Sequence, residues 1–252
     1  MISRLWNGFK IAFSMFSRIP VPKAQWTEEN MAFMLCFFPL VGLVTGLLSI
    51  AVYRLCVLRG LSYGFTSVLL TAVPVLVTGG IHLDGLMDTV DARRSYKGRQ
   101  ERLAILKDPH TGAFAVIALS LYLLLQAGAF YQICASPDML KIACHGYVLS
   151  RCFSGLGVVL LPKASKEGTV ASFSRNSRTT AVICVLVLTM ILTVSHMILC
   201  APVRGSLLFL VQAAVFVWYR HIALKEFGGT SGDISGYFLC LAELVGILTV
   251  AI

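Results

Sequence analysis

Apolar residues gather into long runs separated by short polar segments, a pattern that predicts membrane-spanning helices. Seven such runs lie near residues 32–53, 62–81, 111–134, 142–161, 181–201, 206–219 and 234–252. Several are close to the ~20 residues that a helix needs to cross a bilayer, although the sixth run is short. The expected fold is therefore all-α, a polytopic bundle of about seven transmembrane helices.

The connecting segments differ strongly in positive charge. Alternate segments, counted from the N-terminus, hold 16 Lys and Arg residues, whereas the remaining segments hold 4. Because Lys and Arg concentrate on the cytoplasmic side of membrane proteins, we expect a cytoplasmic N-terminus. Ten of the twelve Asp and Glu residues fall on the same side. We therefore expect an active site that faces the cytoplasm, assembled from loops 82–110, 162–180 and 220–233.

Composition narrows the class of protein further. The chain is 57% hydrophobic and 13% charged, with a mean hydropathy of +0.81, which is too apolar for an ordinary soluble domain. The net charge of +9 is then decoration of the cytoplasmic face, and nucleic acid is not an expected partner. Eight scattered cysteines form no CxxC pair, which argues against a zinc ribbon or a disulfide framework. We expect residues 1–252 to form a single integral membrane domain.

The N-terminal residues 1–23 have a different pattern. Trp6, Phe9 and Phe13 lie on roughly one helical face, with basic residues elsewhere and prolines at positions 20 and 22. This predicts an amphipathic helix that lies in the membrane interface and ends before the prolines, followed by a transmembrane bundle over 24–252.

An acidic run directly follows the second apolar segment. If a helix begins near Ile81, then Asp84, Asp88 and Asp91 share one face at spacings i, i+4 and i+7. Carboxylates at such short distances repel one another, so a positive counter-charge is expected. Because the available ligands are oxygen atoms, magnesium, manganese or calcium is favoured over zinc. The alternative is a solvated acidic helix start, favoured by the helix dipole, which explains one aspartate better than three.

A second stretch near the C-terminus has a similar pattern. The chain contains two Gly-Gly pairs, Gly79–Gly80 and Gly228–Gly229, and each has an aspartate four positions after its second glycine. The second aspartate is Asp233. Glycine-rich turns let backbone amides approach an anion. We interpret the two stretches as similar helix beginnings that face one site.

Basic residues follow the acidic run and suit a metal-bound phosphate ester. We single out Arg102 and Lys107 for substrate binding and interpret most of the others as positive-inside decoration. Arg151 lies within the fourth apolar run. Since an intramembrane arginine normally faces a polar cavity or a partner, we predict that it contacts substrate phosphate or the aspartates. Arg175 lies in a loop that either closes over the substrate or is an ordinary polar connection.

These stretches resemble the cobalamin synthase family, whose members are adenosylcobinamide-GDP ribazoletransferases. Residues 79–91 are similar to the family's GGxHxDGxxDxxDG motif, and residues 228–233 to its GGxTGD motif. Weaker similarities cover residues 18–22, 38–42, 102–112 and 150–151, so the resemblance runs nearly end to end. Ala92 and Ser231 depart mildly from the family pattern. Cys240 replaces a frequent acid of the last span, whereas Glu243 fits.

The resemblance implies a magnesium-dependent enzyme of the bacterial inner membrane, with manganese as a possible substitute metal. It would join adenosylcobinamide-GDP to α-ribazole, or to α-ribazole 5′-phosphate, and release GMP. The expected catalytic residues are Asp84, Asp88, Asp91 and Asp233, and the expected metal ligands are these four with Asp108. The expected substrate-binding residues are His82, Arg102, Lys107, Arg151, Arg175, Gly228, Gly229 and Ser231. Besides these substrates and the lipid bilayer, a second copy of the chain is left open as a partner.

Two other functions fit parts of the pattern. A CDP-alcohol phosphotransferase-like lipid enzyme also uses aspartates in a membrane, but its DGxxAR continuation is absent after Asp84. A cation transporter would place acids along a path through the membrane. Here the acids cluster on one side, and only Glu243 lies within a span.

Overall fold

The structure, a computed structural model, describes residues 2–165 and 178–252, and these are predominantly helical. The helices are α1 (Ile2–Phe16), α2 (Glu28–Met31), α3 (Phe38–Leu58), α4 (Tyr63–Thr78), α5 (Ile81–Arg94), α6 (Arg99–Ile105), α7 (Ala113–Ile133), α8 (Pro137–Leu160), α9 (Thr179–Cys200), α10 (Pro202–Ile222) and α11 (Gly232–Ala251). A short 3-10 turn, Met34–Phe37, precedes α3, and a π-helical turn, Ala223–Phe227, follows α10.

The seven apolar runs all become helices, as predicted. Within the described residues, six helical segments are long and apolar enough to cross a membrane, and the bent pair of α4 and α5 brings the number to seven if it counts as one span. A bend of 92° separates α4 from α5. Helix α5 carries three aspartates and two arginines among its 14 residues, so we treat it as lying outside the spans. The protein is therefore a multi-pass membrane protein.

The sixth span is longer than its apolar run suggested. Helix α10 has 21 residues and extends beyond the apolar run at both ends, so that it includes Arg204 and Arg220. Long cationic side chains can keep their charge in water while their stems lie against apolar surface. Hydropathy alone therefore underestimated this span.

Helices α8 and α11 lie at the centre of the bundle, and the other spans pack around them. Helix α3 meets α8 through Gly42 and Gly46, one turn apart. A Cβ atom at Gly46 would lie 3.1 Å from the Cβ of Cys144, so small residues allow this close approach. Helix α1 forms as predicted and buries Ile11 and Phe13 against its neighbours, while Trp6 is 53% exposed.

Arg151 is completely buried and forms an ion pair with Glu243. Its Nη1 atom lies 2.6 Å from Glu243 Oε1 and also donates to the carbonyl oxygen of Tyr147 at 2.8 Å. The guanidinium lies 5.9 Å from the ring centre of Phe38. Among the described residues, the acidic partner of Arg151 is thus a glutamate from the last span and not one of the predicted aspartates.

Replacing one partner of this pair should destabilise the protein more than replacing both. Arg151→Met leaves the Glu243 carboxylate buried without a counter-charge, and Glu243→Met leaves the guanidinium alone; each should cost about 3–5 kcal/mol. The double variant removes both charges, so it should unfold at a higher temperature than either single variant. Circular dichroism during heating in detergent measures this order. A double variant less stable than both single variants would show that the charges are not coupled.

Candidate active site

Each Gly-Gly pair precedes a helix, as the sequence predicted, but α5 begins directly after Gly80, whereas Thr230 and the cap residue Ser231 separate Gly229 from α11. Gly79–Gly80 and Gly228–Gly229 all have positive φ, a conformation that favours glycine. The first pair leads into α5, with Asp84 in the first turn. The second leads into α11, with Asp233 in the first turn. Helix dipoles at both positions favour negative charge.

The two helix beginnings also touch. A Cβ atom at Gly85 would lie 2.6 Å from the backbone oxygen of Asp233, and one at Gly236 would lie 3.1 Å from the backbone oxygen of His82. Only glycine leaves room for the backbones at the first of these contacts. The sequence showed the glycines but not that they face each other across two helices.

The aspartates share one electrostatic environment. Helix α5 is regular from Ile81 to Arg94, so Asp84, Asp88 and Asp91 lie on one face. Burial, followed by the charges of Asp84, Asp233 and Asp91, raises the pKa of Asp88 to about 6. Carboxylates from two helices therefore oppose one another's ionisation, and a cation would relieve this repulsion.

Asp91 has partners that the sequence did not indicate. Its Oδ2 accepts a hydrogen bond from the Gly112 backbone N–H at 2.6 Å, and its Oδ1 accepts one from Ala115 at 2.9 Å. These amides form the beginning of α7, so Asp91 caps that helix from outside. The contact anchors α5 to α7.

The oxygen ligands fit a hard divalent cation, but they do not form a closed cage. Within the described residues, no group of three His, Cys, Asp or Glu side chains is placed to hold a metal ion. Magnesium usually takes one or two carboxylates and completes its shell with water and substrate phosphate. Asp84 and Asp88 suit that form of binding, with Asp233 beside them.

His82, in the first turn of α5, lies beside two aromatic rings that pack against each other. The ring centres of Phe16 and Phe38 are 6.3 Å and 6.1 Å from that of His82. Its Nε2 atom is buried and has no hydrogen-bond partner among the described residues. The predicted binding role of His82 stays a prediction.

Arg102 is already paired, in a network that sequence analysis missed. Its Nη1 lies 2.8 Å from Glu226 Oε2, and Arg93 binds both oxygens of Glu226 at 3.0 Å. Arg93 also donates to Tyr237 Oη at 2.7 Å. The network joins α5 and α6 to the end of α10. Nothing in the sequence spacing linked Glu226 to Arg93, which lies 133 residues earlier.

The glycine-rich turn of residues 228–231 is held by the backbone. Thr230 N–H donates to the Pro162 carbonyl oxygen at 2.8 Å, and Ala164 N–H donates to that of Thr230 at 2.9 Å. Ser231 caps α11 by accepting from the Ile234 N–H at 3.3 Å. The start of the middle loop therefore meets the last loop, as expected.

Two predicted site residues have surroundings other than those expected. Lys107 and Asp108 are exposed, and Asp108 binds His110 at 2.7 Å; hydrogen bonds from His110 lower the pKa of Asp108. The described contacts do not bring either residue to the other aspartates. Arg175 lies outside the described residues.

Arg18 was given no role by the sequence, yet it lies beside Asp84. Both residues line a cleft of about 600 Å³ between the end of α1, the α4–α5 bend and α7. The Arg18 side chain fills the space that a Cβ atom at Gly79 would occupy. Its backbone N–H donates to the Val77 carbonyl oxygen at 2.8 Å. The cleft is therefore lined by both a cation and a carboxylate.

The fold and this site define a multi-pass helical membrane protein with facing carboxylates at one end of the bundle, an arrangement suited to phosphoryl chemistry. The chain belongs to the cobalamin-5-phosphate synthase family, whose family model matches residues 8–251.

Three relatives have the same name, adenosylcobinamide-GDP ribazoletransferase. The protein of Lachnoclostridium phytofermentans is 40% identical over 98% of this chain and 94% of its own length. Those of Pseudomonas savastanoi pv. phaseolicola and of Clostridium botulinum strain Alaska E43 are 33% and 30% identical, each over 98% of both chains. No solved structure matches the chain.

Gly85→Ala should disrupt the site by forcing α5 away from α11. The added Cβ would meet the Asp233 backbone at 2.6 Å, and backbone cannot move aside as a flexible side chain can. We expect loss of most transferase activity and a lower melting temperature. Gly128→Ala in α7 is the matched control, because a Cβ there meets nothing within 4 Å. Equal activity in the two variants would contradict the close crossing.

Proposed function

We propose that this protein transfers the adenosylcobinamide phosphate group of adenosylcobinamide-GDP to α-ribazole or α-ribazole 5′-phosphate. The products are adenosylcobalamin or its 5′-phosphate, and GMP, in the last stage of cobalamin biosynthesis. The observation that carries the proposal is the shared environment of Asp84, Asp88 and Asp233, on two helices, in a chain of this family.

The reaction exchanges one ester of phosphorus for another. A ribazole hydroxyl attacks the phosphorus attached to cobinamide, a new P–O bond forms, and the bond to the GMP oxygen breaks. The hydroxyl proton must pass to a base. Asp233, which is half-buried and close enough to Asp84 for their charges to interact, is the base in this proposal. Arg18, across the cleft, orients a phosphate oxygen.

We further propose that the enzyme depends on magnesium, with Asp84 and Asp88 as the main protein ligands. The ion, when bound, supplies positive charge that stabilises the phosphates and the departing GMP. The carboxylate donors and the raised pKa of Asp88, about 6, support this assignment.

Asp84→Asn and Asp88→Asn should each abolish turnover at ordinary magnesium while the protein still inserts. Asparagine keeps the size of aspartate but removes its charge. Losing several kcal/mol of transition-state stabilisation lowers the reaction rate about a thousandfold or more. Chromatography of cobalamin formed from adenosylcobinamide-GDP, α-ribazole and magnesium measures it. Asp138→Asn, a change in an exposed acid at the opposite end of the bundle, is the control. Near-normal activity in both site variants would refute the proposed site.

We also propose that the protein lies in the bacterial inner membrane with its site facing the cytoplasm. The charge distribution of the connecting segments supports this orientation. Reporters fused after residues 25, 100 and 228 should then report cytoplasm, and those after 58, 138 and 203 the opposite side. An external reporter at residue 100 would overturn the orientation.

A further inference from the structure

A second cleft, here called the basic cleft, opens where α5 and α6 meet the end of α10. Its volume is about 740 Å³. Its cationic lining residues are Arg93, Arg94, Lys97, Arg99, Arg102 and Lys225. Glu226 is its single acidic lining residue. A cleft lined by one sign of charge concentrates ligands of the opposite sign.

The positive charge of the basic cleft is largely uncompensated. Glu226 is shared by Arg93 and Arg102. In the described part of the chain, Arg94, Lys97, Arg99 and Lys225 form no ion pair with a carboxylate. Four cations beyond the Glu226 network therefore remain available for an anion.

The cleft is built on fixed groups. The Arg99 guanidinium fills the space above Gly228, which has φ +72°, so Arg99 is tied to the glycine-rich turn. Arg93 also lies 5.3 Å from the ring centre of Trp218. The Nε of Arg102 is buried and has no hydrogen-bond partner among the described residues. Simple positive-inside decoration does not require such packing.

The basic cleft follows the aspartates along α5. Val90 and Arg93 line it. At 1.5 Å and about 100° per residue, Arg93 lies about 7.5 Å beyond Asp88 along the helix axis and about 140° around it, so the cleft opens on another side of α5 from Asp88. Tyr96, 78% exposed, adds a ring at the cleft on which a base can stack.

We infer that the basic cleft binds the phosphates of a guanine nucleotide, namely the GMP half of the donor and the GMP that leaves. This inference rests on the proposed function. Arginine forks match phosphate oxygens, and the volume falls in the usual range for a small-molecule site.

Direct binding of GMP to the purified protein in detergent, with EDTA and no divalent cation, tests the inference. Isothermal titration should show binding that weakens about tenfold or more in Arg99→Gln/Lys225→Gln. Arg99→Lys should weaken it less, because charge is kept while the fork is lost. Arg204→Gln, in the first turn of α10 at the opposite end of the bundle, should leave the GMP affinity unchanged. Equal affinity in the double variant and the wild type, or no GMP binding at all, overturns the inference.

Two further arms separate the alternatives. Vesicles of phosphatidylglycerol and of phosphatidylcholine test for a lipid ligand. If only the phosphatidylglycerol vesicles displace GMP from the wild type, and if they bind the double variant more weakly than the wild type, the cleft is a lipid headgroup site and the inference fails. Asp84→Asn should bind GMP normally while making no cobalamin. If GMP binding depends on the cleft but the wild type makes no cobalamin, the proposed function fails and the nucleotide site stands.

Discussion

The site depends on the close crossing of α5 and α11. Each helix begins after a Gly-Gly turn, and Gly85 lets the α5 backbone lie directly against that of Asp233. The crossing brings two helix N-termini, and the aspartates in their first turns, into one field. A larger residue at this point would separate them. The 92° bend between α4 and α5 serves the same end, because it turns the acidic helix out of the membrane-spanning direction.

Charge along α5 changes sign over a short distance. The first three turns carry the aspartates, and the last turn carries Arg93 and Arg94. This order agrees with the helix dipole, which favours acids at the start and bases at the end. It also creates two neighbouring regions, one suited to a cation and one to an anion.

Charged groups inside the bundle are paired with one another, unlike the aspartates at the site. Arg151 and Glu243 neutralise one another in the central helices, where a lone charge would be costly. Their pairing joins α8 to α11, the helix that carries Asp233. Asp91 acts similarly at the end of the bundle, where it caps α7. In both cases a residue predicted to touch the substrate or metal holds in place the helices that form the site.

The sequence by itself determined the helices and much of the chemistry. Long apolar runs can satisfy their backbone in lipid only as helices, so the spans were readable from local pattern. The spacing of Asp84 and Asp88 and the two Gly-Gly turns are local features as well. Tertiary structure alone decided the partners, Glu226 with Arg93 and Arg151 with Glu243, and it also brought Arg18 and Asp84 to the same cleft. These arrangements involve residues far apart in the chain, and their geometry follows from how the helices pack, which hydropathy and spacing do not encode.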